Sequence, residues 1–401
     1  MRKILAVMLC AVMIVVLLSG CGDDSYEDVY EFLNPDAARD AGRSDESPDV
    51  SDTPAASDTG DSSDVPWHDR YGIDFDAVFA TYTPDTAMMR IGDYVVTWGE
   101  LFFYLRSNIN RLLSSFGPVD DWSEVAYDDV TYIDIVLLYA LDNAKMYKAI
   151  EHGAKINSVS LNAEDLESVN EEIEFLISYS DDEEDFLKLL WEEDGCYSLE
   201  LLEYYVKTSY LMGRIITELY GDEGEKLSQE EIDAFAAGSG FMMAKHILRA
   251  KPEEGEEDTA IDEIIAIHSQ LESYDGDDFD SFFDELMHEW SEDLGGLMSY
   301  PNGYLFEYGD MVMAFSETCY LLDVGEYSEI VESEFGYHII YKLPIDFDEI
   351  PIAMASQGDY RTLRAYAGNN LFNSLLYEWI DNLEPIFTAE YEALDMGRLF
   401  N

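Results

Sequence analysis

The residue types that could do chemistry are concentrated in residues 241–343, where two histidines lie on strand-like segments. His246 lies within Met242–Leu248 and His338 follows Tyr337, and both segments have the apolar composition of strands. Another histidine begins the segment His288–Glu292, which is not a zinc protease motif because the second histidine that such a motif needs is missing.

Other common catalytic and ligand-binding motifs are absent from the sequence as well. The sequence has no Cys-x-x-Cys pair typical of thiol oxidoreductases and no glycine-rich phosphate loop ending in Lys-Ser or Lys-Thr. Gly238-Ser239-Gly240 is not a Gly-x-Ser-x-Gly nucleophile elbow. The acid-dense segment Asp275–Asp284 lacks the EF-hand spacing, and it leaves weak Ca²⁺ binding as an alternative. We therefore expect chemistry that uses no cofactor.

Six short blocks in residues 241–343 resemble the parvulin family of peptidyl-prolyl cis/trans isomerases. They follow one another in the family order and at the family spacing, over about a quarter of the chain. The blocks are Ala244–Leu248 (AKHIL), Gly276–Phe279 (GDDF), Trp290–Asp293 (WSED), Gly309–Phe315 (GDMVMAF), Leu322–Ser328 (LDVGEYS) and Gly336–Ile340 (GYHII). The resemblance implies a small antiparallel sheet with surrounding helices.

The resemblance also implies catalytic residues. His246 and His338 match the family's paired histidines, and Asp293 matches the position of an Asp or Cys that faces the substrate amide. Ser333, five residues before His338, matches a small hydroxyl in the hydrogen-bond network. The alternatives are histidines that only hold the strands together and a plain loop carboxylate at position 293.

Three apolar residues are implied as substrate-binding. Met311 and Phe315 match the floor that receives the proline ring, and Phe306 aligns with the Phe of the family pattern Gly-Gly-Asp-Leu-Gly-x-Phe. The rest of Tyr300–Phe306 departs from that pattern, and the pocket Leu has no secure counterpart. The resemblance therefore does not assign the residues that form the rim of the proline pocket. For Met311, Phe315 and Phe306, the alternative is that they only pack in the hydrophobic core.

Isomerisation of an X-Pro bond is compatible with these residue types. The bond rotates over a barrier of ~18–20 kcal/mol, and lowering it needs neither a nucleophile nor a cofactor. It needs an apolar socket for the ring, a water-poor surrounding and polar groups that favour the twisted amide.

The N-terminus predicts export and lipidation. Arg2 and Lys3 precede an uncharged run of 15 residues, Ile4–Leu18, which is short for a membrane span but typical of a signal peptide. Leu18-Ser19-Gly20-Cys21 resembles a bacterial lipobox. We predict a lipoprotein signal peptide at 1–20 and a lipid on Cys21, which would anchor the chain at the extracytoplasmic face of the cell membrane. An ordinary signal peptide or anchor with a chance cysteine is the alternative.

Between the signal and the folded sequence, residues 21–66 predict a disordered acidic tether. From residue 22 this segment holds 14 acidic residues against two arginines, and 44–65 has no aromatic residue. Such a composition buries too little apolar surface to fold.

Residues 67–239 predict a helical domain. The entry sequence Ile91–Leu101 is similar to the start of the helical chaperone domain in SurA/PrsA-type foldases, and Thr97 and Glu100 have capping-box spacing. The aromatic and methionine stripes of the helices are core or, alternatively, a substrate groove. The predicted class is α+β, with the chaperone domain at 67–239, the parvulin domain at 240–345 and a C-terminal helical segment at 346–401 that packs on the chaperone domain.

Charge narrows the partners. With 22 basic and 86 acidic residues the net charge is −64, which excludes a nucleic-acid binder and electrostatic docking on an anionic membrane. The expected partners are unfolded or nascent secreted proteins with X-Pro segments, and a homodimer is left open. The predicted function is a membrane-anchored foldase that isomerises X-Pro bonds. The alternative is a non-catalytic holdase that uses the parvulin domain only to bind peptides.

Overall fold

The computed structural model describes residues 73–396, apart from 118, 128, 253–258 and 359–360. The predicted signal peptide, the tether and Cys21 lie outside these residues. The chain divides into two compact units. The first contains residues up to Ile215 and from Asn373 onward, and the second is Ile216–Phe372.

Helices make up most of the described chain. In chain order they are α1 Phe75–Phe79, α2 Trp98–Phe116, α3 Tyr132–Asn157, α4 Ala163–Ile177, α5 Glu183–Asp194, α6 Leu199–Tyr220, α7 Gln229–Ser239, α8 Ala260–Ser273, α9 Phe279–Trp290, α10 Leu294–Ser299, α11 Met313–Leu321, α12 Ile352–Ser356, α13 Leu363–Asn382 and α14 Ala389–Glu392. Among the described residues, no helix is both long and apolar enough to cross a bilayer.

The strands are short, except for two in the second unit. They are β1 Ala87–Ile91, β2 Tyr94–Thr97, β3 Val125–Tyr127, β4 Val130–Thr131, β5 Phe241–Ala250, β6 Tyr304–Glu307, β7 Val331–Glu332, β8 Gly336–Leu343 and β9 Pro385–Phe387. All their pairings are antiparallel. Small antiparallel sheets beside many helices confirm the predicted α+β class.

The first unit is built on α2 and α3, and local sequence fixes where each helix begins. The Thr97 side chain accepts the backbone N–H of Glu100, whose carboxylate in turn accepts the N–H of Thr97. Thr131 and Asp134 form the same reciprocal cap at α3. Each capping box satisfies two backbone donors that would otherwise have no partner. The predicted cap at Thr97 and Glu100 is therefore confirmed.

The first unit also contains the end of the chain. β9 pairs with β1 on the side away from β2, so that Met89 lies opposite Phe387. The ring of Trp379 lies so close to Gly153 on α3 that a β-carbon on this glycine would meet the ring at 1.9 Å. The last described residues thus pack on the same unit as the first described ones.

A buried cation lies inside the first unit. Lys148 on α3 is 4% exposed, and its Nζ lies 2.7 Å from Glu100 and 3.0 Å from Glu151. It also donates to the hydroxyl of Tyr204 on α6 at 2.9 Å. Because a buried charge is costly without partners, these contacts tie three helices together at one point.

The second unit contains one four-stranded sheet in the order β6-β5-β8-β7. Side chains alternate along β5, so Met243 and Ile247 face one side of the sheet and Ala244 and His246 face the other. Helices α8 and α9 cover the first side through an apolar core. Helix α11 covers the second side through Phe315 and Cys319.

Two predicted elements differ from the structure. The sequence predicts a strand over Tyr327–Ser333, but β7 comprises Val331 and Glu332 alone, because the Ser328 side chain takes the N–H of Ile340. The sequence also predicts a short helix over Asp310–Thr318, but α11 begins at Met313, since the Asp310 carboxylate accepts the N–H of Glu307 in a tight turn instead.

Candidate active site

Strand register brings the two histidines together. In the antiparallel pair of β5 and β8, His246 lies opposite Ile340 and His338 lies opposite Leu248. The histidines are therefore diagonal neighbours on one face of the sheet. Their rings are 5.3 Å apart and nearly parallel, at 14°. Both side chains are buried, with 7% of His246 and 3% of His338 exposed.

A continuous line of hydrogen bonds joins all four predicted catalytic residues. The Nδ1 atoms of His246 and His338 are 3.1 Å apart. Asp293 Oδ2 lies 2.7 Å from His246 Nε2 at one end of the line. Ser333 Oγ lies 2.6 Å from His338 Nε2 at the other end. The chain thus brings together four side chains from three separate segments.

The direction of these bonds follows from the donors available. An ionised Asp293 only accepts, so His246 Nε2 donates to it. With neutral rings, His246 Nδ1 is then an acceptor, and His338 Nδ1 donates to it. His338 Nε2 is left as an acceptor for the Ser333 hydroxyl. Each ring therefore carries its proton on a defined nitrogen.

Asp293 occupies a loop position that is itself structured. It caps α10, where its Oδ1 accepts the N–H of Gly296 at 3.1 Å. Partial burial opposes ionisation, but hydrogen bonds from His246, Tyr304 and the Gly296 N–H outweigh it and hold the pKa of Asp293 well below its usual range. The group beside the histidines is thus a carboxylate.

His338 is a neutral imidazole. Burial and, to a smaller extent, the neighbouring His246 together lower the pKa of His338 to about 4, against the opposing effect of Asp293. Neutral imidazole at this position fits the hydrogen-bond directions above, because His338 must both donate and accept.

The sequence motifs did not identify two residues of the site, Tyr304 and Gly296. Tyr304 on β6 donates its hydroxyl to Asp293 Oδ2 at 2.7 Å. Gly296 leaves room for that carboxylate, since a β-carbon there would lie 2.6 Å from Asp293 Oδ2. A signal for Tyr304 was available, because it lies in the block that departs from the family pattern.

The three predicted substrate-binding residues lie on the same side of the sheet as the histidines. Phe306 and Phe315 belong to one buried cluster, with exposures of 0% and 2%, and Met311 packs against it half-buried. The Phe315 ring meets the His246 ring edge-on at 5.2 Å. Of the three, only Met311 presents appreciable surface to solvent, and Phe306 and Phe315 form its support.

Comparison with known proteins agrees with this geometry. Residues 246–343 match the family model described as rotamase, PPIC-type PPIASE domain. The chain is 30% identical over 188 residues to a protein named foldase protein PrsA from Halalkalibacterium halodurans, covering 46% of this chain and 51% of that protein. It is 26% identical to the PrsA foldase of Caldanaerobacter subterraneus, covering 66% and 73% of the two chains.

Among solved structures, the chain is similar to peptidylprolyl isomerase (PrsA) from Bacillus cereus, with 18% identity, a TM-score of 0.29, and coverage of 70% of this chain and 98% of that one. The chain spans about half the length of the first two curated relatives it matches. Residues 246–343 are therefore a parvulin domain of the PPIC type, within a chain similar to PrsA foldases.

Proposed function

We propose that the second unit catalyses cis/trans isomerisation of X-Pro bonds at the site formed by His246, Asp293, Ser333 and His338. The observation that carries this proposal is the unbroken hydrogen-bonded line from Asp293 to Ser333, within the residues that match the isomerase family model. No step needs a covalent intermediate, since the reaction only twists an amide.

Catalysis would depend on the electrostatic field of these four hydrogen-bonded side chains and not on proton transfer to the substrate. The prolyl ring binds over Met311, whose unbranched side chain adapts to the shape of its partner. The buried rings of Phe315 and Phe306 support Met311 from the core of the unit. Asp293, which is 20% exposed at its side chain, faces the amide with a fixed negative charge. A preorganised charge in a dry site favours the twisted amide over the planar one.

We propose for the whole chain a foldase on the extracytoplasmic side of the cell membrane, held there by a lipid on Cys21. The relatives named foldase support the folding role. Unfolded secreted chains are the proposed clients. We propose boundaries at 67–239 for the chaperone domain, 240–345 for the parvulin domain and 346–401 for the C-terminal segment. The two compact units of the structure divide the chain elsewhere, after Ile215 and after Phe372.

A refolding assay tests the enzymatic proposal. The protein is added to a substrate whose refolding is limited by a prolyl bond, and acceleration is compared with that of His246→Ala and Asp293→Ala variants. Acceleration that both substitutions abolish supports the isomerase. Suppressed aggregation with no faster isomerisation in the unmodified protein supports a holdase instead and overturns the proposal.

Membrane attachment has its own test. Cys21→Ala should leave the protein unprocessed or release it from membranes, as seen by fractionation and by loss of labelling with a fatty-acid analogue. Cys196→Ala is the matched control, because Cys196 is a buried free thiol inside the first unit. Unchanged processing and attachment of the Cys21→Ala variant would reject the lipid anchor.

A further inference from the structure

The hydroxyl of Tyr304 and the imidazole of His246 share a single oxygen atom. Asp293 Oδ2 lies 2.7 Å from the Tyr304 hydroxyl and 2.7 Å from His246 Nε2. The Tyr304 ring also meets the His246 ring edge-on at 5.8 Å, and the Tyr300 ring packs on it at 4.8 Å. Tyr304 therefore contacts both members of the carboxylate–histidine pair.

The block that contains Tyr304 departs from the family pattern. When Phe306 is aligned with the Phe of Gly-Gly-Asp-Leu-Gly-x-Phe, Tyr304 falls on the last glycine and Gly303 falls on the leucine. A glycine has no side-chain donor. Gly303 has φ +112 and a β-carbon there would meet the Ala244 carbonyl at 3.1 Å, so the position can hardly carry a pocket side chain. The departure thus removes the apolar rim residue at position 303 and adds a hydrogen-bond donor at position 304.

The donor fixes a torsion that is otherwise soft. The χ2 angle of an aspartate is broad, so a carboxylate with one partner can swing. Here Oδ1 is held by the Gly296 N–H at 3.1 Å and Oδ2 is held by two donors from β5 and β6. Because three donors are shared between its two oxygens, the plane of the Asp293 carboxylate is determined. The direction of the His246 Nε2 proton is then determined as well.

We propose that Tyr304 is a positioning residue for isomerisation, which holds the Asp293 carboxylate in the orientation that faces the substrate amide. The inference rests on the proposed isomerase function of this site. Tyr304 acts through Asp293 and does not touch the substrate. The altered block is in this case an adaptation of the active site and not a sign of its decay.

Kinetics of Tyr304→Phe test the proposal, because this change removes one oxygen atom and keeps the ring packing. Tyr300→Phe is the matched control, since it removes a neighbouring hydroxyl that does not bond Asp293. We expect Tyr304→Phe to lower kcat about fivefold with little change in KM, as the loss of one hydrogen bond in the transition state would. Tyr300→Phe should behave like the unmodified protein.

The pH dependence separates positioning from packing. The titratable groups that face Asp293 are His246 and, from β6, Tyr304; Lys245 and Tyr300 line the adjacent cavity. Tyr304→Phe should raise the midpoint of the Asp293 carboxyl signal by about one unit in a ¹³C titration of the intact protein. The acid limb of kcat/KM should move the same way.

A double-mutant cycle decides whether Tyr304 acts through Asp293. In an Asp293→Ala background, which leaves no oxygen for Tyr304 to hold, Tyr304→Phe should cause no further loss of the residual kcat. A full loss in that background, or an unchanged kcat and carboxyl midpoint in the single variant, overturns the proposal. An unmodified protein without isomerase activity refutes the proposed function and the catalytic role of Tyr304 together. The carboxyl titration then still decides whether Tyr304 holds Asp293.

Discussion

The Nδ1 atoms of His246 and His338 face each other at 3.1 Å, across two strands that are 92 positions apart in the chain. One of the two nitrogens must donate and the other must accept, so the pair cannot hold protons on both Nδ1 atoms without repulsion. The Asp293 carboxylate at one end and the Ser333 hydroxyl at the other select which arrangement is stable.

Stability should fall with acid because of His338. Its pKa is lowered from 6.5 to about 4, so the unfolded chain binds the proton first as the pH falls. The stabilisation is therefore complete above about pH 6.5 and is lost between there and about pH 4. Between pH 7.5 and pH 5, protonation of this group alone should lower the free energy of unfolding by about 2 kcal/mol.

The measurement is urea unfolding at both pH values, followed by NMR signals from residues 216–372. His338→Gln is the comparison, because it removes the titrating group and should flatten this part of the pH dependence. An equal loss of stability in both proteins would contradict the prediction. So would a His338 ring signal that titrates near pH 6.5.

Gly296→Ala should disable the site. The added β-carbon would lie 2.6 Å from Asp293 Oδ2 and 3.1 Å from the Tyr304 hydroxyl, so the carboxylate has to move. We expect isomerase activity to fall by about tenfold or more, because a displaced charge no longer faces the amide. Gly295→Ala is the control, since its nearest contact would be 3.3 Å. Equal activity of the two variants would show that the position of Asp293 is unimportant.

Ser333→Ala should leave a buried acceptor unpaired. His338 Nε2 would lose its donor at 2.6 Å, at a residue that is 3% exposed. We expect a destabilisation of about 1–2 kcal/mol and a shift of the His338 Nε2 signal in ¹⁵N spectra. Ser333→Thr keeps the hydroxyl and should restore the signal. An unaltered ¹⁵N spectrum in the alanine variant would mean that Ser333 is not the partner of His338.

The buried cation should matter to the helical unit. Lys148→Met would leave Glu100 and Glu151 without their positive partner, at an expected cost of about 3 kcal/mol in the free energy of unfolding. Lys155→Met is the control, because that lysine pairs with Asp93 on the surface, with exposures of 61% and 80%. Thermal unfolding of both variants checks this. A Lys148→Met protein as stable as the control would show that the network carries no net stability.

The sequence predicted well what depends on near neighbours in the chain. The sequence predicts a helix over Phe279–Trp290, and α9 has these bounds. Ser228 and Glu231 have capping-box spacing in the sequence, and they form that box at the start of α7. Such features require only that residues three or four apart meet on one helical turn. The predicted strand at 327–333 was wrong for most of its length, because Ser328 competes with the backbone for the N–H of Ile340.

The motif blocks of the sequence predicted that His246, Asp293 and His338 belong to one site, and Ser333 was predicted from its place five residues before His338. The sequence by itself could not determine how these residues are joined. Whether a ring nitrogen meets another at 3.1 Å depends on the register of β5 and β8. The hydroxyl of Tyr304 reaches Asp293 only because β6 lies beside β5, next to the capped start of α10. The donor–acceptor distance of a hydrogen bond can vary by only a few tenths of an ångström, and only the packing of distant segments sets distances that finely.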